Sequence, residues 1–256
     1  MRCLVSPFFA FMILAIGLGA CVKHKELRIF NFTAPDMPYA EYVENADNQE
    51  AHAIMVGKAE RSYQLYDGGG GDSPRAAILL LHGSGRSGVS LVEKWMPVAD
   101  AENLVLIGPT ALNAKWRYGE DVAFIDAVLK EAQEKYNIDP ARIYLFGHSD
   151  GATFALYLSV IRSDVFAASV IHAGMFSKRD ERLVANATRK IPVALMVGDR
   201  DKIFPVGRVK DAAQAFADNG HETALYLFEG HDHWYYDLSD YLNGFAWEFM
   251  RQYELE

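Results

Sequence analysis

The chain has 256 residues, half of them hydrophobic, and a formal charge of −9 at pH 7. This size and composition are ordinary for a globular protein and exclude a peptide hormone or a disulfide-stapled scaffold. The acidic balance and the lack of any Lys or Arg cluster argue against nucleic acid as a partner, because phosphate binding needs concentrated positive charge.

The N-terminus has the pattern of an export signal. Arg2 is followed by an apolar run from Leu4 to Ala20, which is short for a membrane span. The segment Leu18-Gly19-Ala20-Cys21 resembles the lipobox of bacterial lipoprotein signal peptides. We therefore expect residues 1–20 to be a signal peptide and Cys21 to carry a lipid that anchors the exported protein to a bacterial membrane, facing the periplasm. An ordinary signal peptide and an uncleaved membrane anchor are the alternatives.

The two cysteines of the chain support export without disulfides. Cys3 lies inside the predicted signal and Cys21 at its edge, so the mature domain has no thiol to pair. Residues 22–50 are polar and irregular, and we predict that residues 21–50 form the lipidated N-terminus and a tether. No linker or repeat follows, so residues 51–256 are predicted to form one domain.

The hydrophobic pattern of that domain predicts an α/β fold. Residues 51–66 alternate as one or two edge strands do. Continuous apolar runs predict strands buried on both faces, and amphipathic runs predict helices. Their alternation indicates a mostly parallel sheet flanked by helices, whose site lies at the carboxyl ends of the strands. The predicted strands are 76–85, 103–111, 141–149, 167–174, 190–199 and 223–230, and the predicted helices are 120–136, 151–161, 206–220 and 238–253.

A serine lies at the junction of one strand with the following helix. Ser149 is the centre of Gly147-His148-Ser149-Asp150-Gly151, a G-x-S-x-G motif. In this context the motif is typical of a sharp turn that exposes a nucleophilic hydroxyl, and the helix that follows directs its positive dipole end at the developing oxyanion. A turn that only packs the strand against the helix is the alternative.

Candidate partners for Ser149 follow two later strands. Asp199 and Asp201 come after the strand at 190–199, and either could orient a histidine. His231 and His233 follow the last strand, and either could be the general base. A metal site is not expected, because no further Cys or His cluster supplies ligands. The order serine, aspartate, histidine is that of the α/β-hydrolases.

The chain resembles the α/β-hydrolase superfamily over about residues 76–250, and within it the polyhydroxybutyrate depolymerase-like and the feruloyl or acetylxylan esterases. The likeness is carried by "LLLHGSG", by "EDVAFIDAVLKEAQEKYNIDPARIYLFGHSDGATFAL" and by "GDRDKIFP". The resemblance implies that Asp201 is the acid. His233 is favoured as the base through a segment resembling that of S-formylglutathione hydrolases, with His231 as the alternative.

In this fold backbone N–H groups after the first buried strand and after the nucleophile bind the oxyanion, here those of Ser84 and Asp150. His82 is expected to fix the loop rather than to act as a base. The connection at 175–190 is short, which predicts no large lid and an open site. Trp116 is expected to line that site.

These observations predict a serine carboxylic-ester hydrolase that forms an acyl-enzyme on short-acyl or polymer-linked esters and needs no cofactor. A serine peptidase of the same fold and a non-catalytic binding lipoprotein on a hydrolase scaffold are the alternatives. The sequence does not select one natural ester.

Overall fold

A computed structural model describes residues 24–71 and 73–256, so the predicted signal peptide and the lipidation site at Cys21 lie outside the described residues. The described chain forms one sheet with helices on both faces. The strands are β1 (Arg28–Thr33), β2 (Glu50–Val56), β3 (Ala59–Asp67), β4 (Arg75–Leu81), β5 (Val105–Pro109), β6 (Ile138–His148), β7 (Ser169–His172), β8 (Val193–Gly198) and β9 (Thr223–Glu229). The helices are α1 (Gly88–Glu102), α2 (Val122–Lys135), α3 (Asp150–Ile161), α4 (Val206–Asp218) and α5 (Ser239–Met250).

The order of strands in the sheet is β1-β9-β8-β7-β6-β4-β5-β3-β2. All neighbours are parallel except β3, which is antiparallel to both β2 and β5. The predicted mostly parallel α/β fold is thus confirmed. Of the one or two edge strands predicted at 51–66, β2 lies at the edge of the sheet, and β3 lies between β2 and β5.

The apolar core has two layers, because both faces of the central strands are covered. Successive residues of β4 alternate between them, with Leu79 and Leu81 in one layer and Ile78 and Leu80 in the other. The first layer is closed by α2, α3 and α4, and the second by α1 and α5. This double cover explains why the strands read as continuous apolar runs.

The prediction that residues 21–50 form only a tether is wrong for the described part of that segment. β1 pairs in parallel with β9 along Arg28–Thr33, at one edge of the sheet. Further along, the ring of Tyr42 is buried and stacks on Tyr236, with the ring centroids 4.0 Å apart. The domain therefore begins well before residue 51. The strand escapes sequence analysis because its side chains are largely exposed and its partner is distant in the chain.

Helix α1 was also not predicted. Ser87 caps its start by accepting a hydrogen bond from the N–H of Val89, and Pro97 lies inside it. A proline in the helix interior weakens the local signal, but the buried side chains of Leu91 and Trp95 hold the helix against the sheet. Within the described residues, no helix has the length and apolarity needed to cross a membrane.

The register of the strands places their last residues side by side. Leu81 pairs with Gly147, His148 with His172, and Gly198 with Phe228. The residues that follow each strand therefore meet at one edge of the sheet. Those residues include all the predicted triad and oxyanion positions.

Candidate active site

Ser149 occupies a strained turn between β6 and α3. Its φ is 57° and its ψ is −117°, a combination that residues with a side chain rarely adopt. The backbone N–H of Ser149 donates to the carbonyl of His172 at 3.0 Å, which fixes the turn against β7. Strain of this kind persists only where the surroundings determine the backbone, and it is concentrated at functional sites.

The two glycines of the motif are required by close backbone contacts. A Cβ on Gly147 would lie 2.5 Å from the carbonyl oxygen of Gly151. A Cβ on Gly151 would lie 2.0 Å from the carbonyl oxygen of Leu81. Neither position can hold a larger residue without moving the backbone, so the motif both turns the chain and presents the serine.

The structure brings Ser149, His233 and Asp201 together. The Nε2 atom of His233 is 3.0 Å from the Oγ of Ser149. Its Nδ1 atom is 2.9 Å from Oδ2 of Asp201. Because a carboxylate only accepts, the Nδ1–H of His233 donates to Asp201, and Nε2 is left to accept from the serine hydroxyl. This is the arrangement in which a histidine can take the proton of a serine.

Asp201 is held as an ionised carboxylate. Its side chain has no exposed surface, and burial alone would raise its pKa. The hydrogen bond from His233 and those from the N–H groups of Phe204 and Ile203, each 2.8 Å from Oδ1, outweigh burial and lower the pKa below its ordinary value. The ring of Phe204 also stacks on His233, with the ring centroids 5.5 Å apart.

Asp199 and His231 make other contacts. Oδ1 of Asp199 accepts from the N–H of Gly230 at 2.8 Å, which closes the turn after β9. Nε2 of His231 is 3.0 Å from Nε2 of His172 and forms a hydrogen bond there. The alternative acid and base therefore support the loop that carries His233.

The loop after β4 lies directly against the turn that carries Ser149. A Cβ on Gly83 would be 3.3 Å from Cβ of Ser149. Ser84, the next residue, is exposed, and Asp150 is the first residue of α3. The predicted oxyanion donors thus lie on the two segments that border Ser149, and the role of their N–H groups stays a prediction.

His82 fixes this loop, as expected from the sequence. Its ring is fully buried, and burial lowers its pKa. Nδ1–H donates to the carbonyl of Gly83 at 2.8 Å, while Nε2 accepts from the N–H of Ala111 at 3.0 Å. A neutral imidazole with both nitrogens engaged cannot act as a base.

The expectation that Trp116 lines the site is not supported by its surroundings. The side chain is only 7% exposed and stacks on Phe154, with the ring centroids 5.2 Å apart. Its indole N–H donates to the carbonyl of His82 at 2.8 Å, and its backbone N–H donates to the carboxylate of Asp150 at 2.9 Å. An aromatic residue after a strand can pack inward as readily as outward, and here packing and two hydrogen bonds bury it.

Sequence analysis missed two further histidines beside the triad. His148 and His172 end the paired strands β6 and β7, and their Nδ1 atoms are 2.9 Å apart. The ring of His148 lies beside that of His233, with the centroids 5.2 Å apart. The sequence does show that both histidines lie at the carboxyl ends of predicted strands, and that position could have marked them as site residues. Among residues 24–71 and 73–256, no group of three or more His, Cys, Asp or Glu residues is arranged to hold a metal ion.

Comparison with known sequences gives relatives among esterases. Residues 120–243 match the family described as phospholipase/carboxylesterase. Feruloyl esterase C from Emericella nidulans is 28% identical over 64% of this chain and 63% of its own length. A protein named "Probable feruloyl esterase C" from Aspergillus niger is 30% identical over 45% of this chain and 42% of its own length. The matches thus span between 42% and 63% of these relatives.

Comparison with solved structures gives the same fold. A CE1 ferulic acid esterase from Anaeromyces mucronatus superimposes with a TM-score of 0.66 at 17% identity, covering 88% of this chain and 98% of the other. A thermostable esterase superimposes with a TM-score of 0.67 at 18% identity, covering 81% and 64%. At these identities the likeness establishes the fold and leaves the activity to the site.

Proposed function

We propose that this chain, which is a member of the α/β-hydrolase superfamily, is a serine carboxylic-ester hydrolase. The observation that carries the proposal is the continuous hydrogen-bonded series from Ser149 Oγ through His233 to the buried carboxylate of Asp201. It supplies a nucleophile, a base and a group that orients the base. The esterase relatives give independent support.

The first half of the reaction acylates Ser149. Its Oγ attacks the ester carbonyl carbon while Nε2 of His233 takes the hydroxyl proton. The imidazolium that forms is stabilised by Asp201, and the N–H groups of Ser84 and Asp150 bind the oxyanion. When the tetrahedral intermediate collapses, the bond to the alkoxy oxygen breaks, and His233 gives its proton to the departing alcohol.

The second half repeats the same steps with water. Nε2 of His233 takes a proton as the water oxygen attacks the acyl carbon of the acyl-enzyme. The second tetrahedral intermediate expels Ser149, which recovers its proton from His233, and the carboxylic acid is released. Every proton and bond is accounted for by the triad and water, so this scheme uses no cofactor.

The substrate class we propose is an ester with a short or feruloyl-type acyl group, including esters linked to a polymer. The names of the relatives support the feruloyl type. The segment between β7 and β8 contains one 3-10 helix of 7 residues, Asp180–Asn186, which leaves little chain to cover the acyl group. A lightly covered site suits a substrate that is attached to a bulky polymer.

The test is fluorophosphonate labelling of the full chain in detergent, with hydrolysis of chromogenic esters of increasing acyl length and of methyl ferulate. We expect labelling and turnover in the wild type and in Ser62→Ala, a control at an exposed serine of β3, and neither in Ser149→Ala. A chromogenic peptide amide is assayed beside the esters, and its cleavage without ester hydrolysis would favour a peptidase. A folded wild type that does neither would favour a non-catalytic binding lipoprotein.

We also propose that the protein is exported and lipid-anchored through Cys21. The support is the sequence Leu18-Gly19-Ala20-Cys21 after an apolar run. Metabolic labelling with a radioactive fatty acid in a bacterial host tests this, because the chain offers a matched control. Cys3→Ala should retain the label, since Cys3 lies in the segment that is removed, and Cys21→Ala should lose it. Equal labelling of the two variants would contradict the proposal.

A further inference from the structure

We propose that His148, His172 and His231 form a chain of neutral imidazoles that positions the catalytic base His233 against Ser149. The proposal rests on the proposed function, because it assigns a role in that reaction. None of the three residues touches the reacting atoms in the scheme above. They are therefore positioning residues, with His172 at the centre of the chain.

Two hydrogen bonds between ring nitrogens connect the three histidines. Nδ1 of His172 is 2.9 Å from Nδ1 of His148, and Nε2 of His172 is 3.0 Å from Nε2 of His231. His172 is fully buried, and the other two are 4% and 5% exposed. Both nitrogens of the central ring are therefore satisfied by other imidazoles in a site nearly closed to solvent.

The two hydrogen bonds of His172 must run in the same direction along the three histidines. Each bond needs one N–H and one lone pair, and a neutral His172 has one of each. If it donates to His148 it must accept from His231, and if it accepts from His148 it must donate to His231. Burial, together with the neighbouring imidazoles, lowers the pKa of His148 and His172 well below the ordinary value, which keeps the rings neutral.

The three histidines connect the turn that carries Ser149, the nucleophile side of the site, with the loop that carries His233, the base side. On the nucleophile side, the carbonyl of His172 accepts from the N–H of Ser149 at 3.0 Å. On the base side, His231 stands two residues before His233, and its own carbonyl accepts from the N–H of Arg200, beside Asp201, at 2.9 Å. One residue, His172, thus holds the serine turn through its backbone and the base loop through its ring.

This connection matters for the rate because proton transfer requires a fixed distance between Ser149 and His233. Displacing a reacting group by about 1 Å can cost about 100-fold in rate. A buried network that is fully satisfied holds its members rigidly, whereas a broken one leaves an unpaired polar group. Releasing His231 from His172 should therefore loosen the loop that aims His233 and lower kcat, without changing any group that touches the substrate.

Two substitutions at His172 separate this role from simple packing. The amide of His172→Gln ends near the position of Nε2 and can keep the bond to His231. The amide of His172→Asn ends near the position of Nδ1 and can keep the bond to His148. Each variant loses one buried hydrogen bond at the same residue, so we expect similar thermal unfolding temperatures and unchanged KM. We expect kcat to be about 100-fold below wild type in the Asn variant and at least about tenfold higher in the Gln variant.

The outcomes distinguish the inference from the function on which it rests. An active wild type with equal kcat in the two variants, or an Asn variant as active as wild type, would overturn the inference alone. A wild type that neither labels nor hydrolyses esters would overturn the proposed function. If the variants of this fully buried residue do not fold, the same comparison is made with His231→Gln and His231→Asn on the loop, where Gln again keeps the bond to His172 and should be the more active.

Discussion

The two sides of the candidate site are fixed by different kinds of interaction. The nucleophile side is held by backbone contacts, because Gly147 and Gly151 let three segments approach more closely than any side chain would allow. The base side has one such contact, because a Cβ on Gly198 would lie 2.0 Å from the carbonyl oxygen of His231. It is held in addition by side-chain hydrogen bonds, among them those of Asp199 to the turn after β9 and of His231 to His172. Close backbone packing thus determines where Ser149 lies, whereas the position of His233 depends on side-chain hydrogen bonds as well.

The difference predicts how substitutions on each side change stability and activity. A backbone clash cannot be relieved by rotating a side chain, so a change on the nucleophile side should affect folding and activity together. A lost side-chain hydrogen bond can leave the fold intact while moving a reacting group, so a change on the base side should affect kcat more than stability. The comparison can therefore be tested by measuring both quantities in the same variants.

The largest effect is expected for Asp201→Asn on the base side. An amide at this position accepts the Nδ1–H of His233 less strongly and can instead present an N–H, which favours the wrong tautomer of the histidine. We expect kcat to fall about 10⁴-fold while the protein stays folded. The measurement is ester turnover together with circular dichroism.

The matched control for that change is Asp199→Asn. Asp199 accepts from the N–H of Gly230, and an amide oxygen can accept the same bond, so kcat should stay close to the wild-type value. If Asp199→Asn were the more damaging of the two substitutions, the assignment of Asp201 as the acid would be wrong.

The second-largest effect is expected for Gly151→Ala on the nucleophile side, where both stability and labelling should fall. The added Cβ would meet the carbonyl oxygens of Leu81 and His82 at 2.0 and 2.5 Å, so the backbone must move. We expect a loss of about 3 kcal/mol or more in the free energy of unfolding, together with loss of fluorophosphonate labelling. Urea denaturation and labelling on the same preparation measure both.

Gly244→Ala provides the control for the loss of a glycine. This residue lies exposed in α5, and an added Cβ would meet nothing within 4 Å. Replacing a helical glycine by alanine should raise the free energy of unfolding by about 0.5–1 kcal/mol. A Gly151→Ala protein as stable and as reactive as Gly244→Ala would show that the nucleophile turn is not determined by close packing.

The same contrast explains what the sequence could predict. The strands buried on both faces and the glycines around Ser149 leave local signals, because they depend on residues that are adjacent in the chain. The choice between His231 and His233 depends on which ring meets Ser149 across 84 residues of sequence, and the resemblance to known enzymes was needed to favour one. The structure brings His233 to the serine and gives His231 a different partner.

The remaining differences between the sequence-based predictions and the structure concern an edge strand, β1, and a buried side chain, that of Trp116. β1 was missed because an exposed edge strand carries no buried pattern, and its pairing with β9 is visible only in three dimensions. The position of Trp116 after a strand suggests that it lines the site, but a position in the sequence does not say which way the side chain points. Burial on Phe154 and the hydrogen bond to His82 turn its ring inward.

The smallest effect is expected for Trp116→Phe, which tests how firmly the loop beside the nucleophile must be held. Trp247→Phe is the matched control, because both residues are 7% exposed but, of the two indole N–H groups, only that of Trp116 has a hydrogen-bond partner within the described residues. We expect Trp116→Phe to cost about 1 kcal/mol more in the free energy of unfolding, the value of one hydrogen bond. Freeing the carbonyl of His82 next to Gly83 should also slow labelling about fivefold, as a barrier increase of about 1 kcal/mol would. Identical labelling rates in the two variants would mean that backbone packing alone positions the oxyanion loop, which would make the contrast between the two sides of the site still sharper.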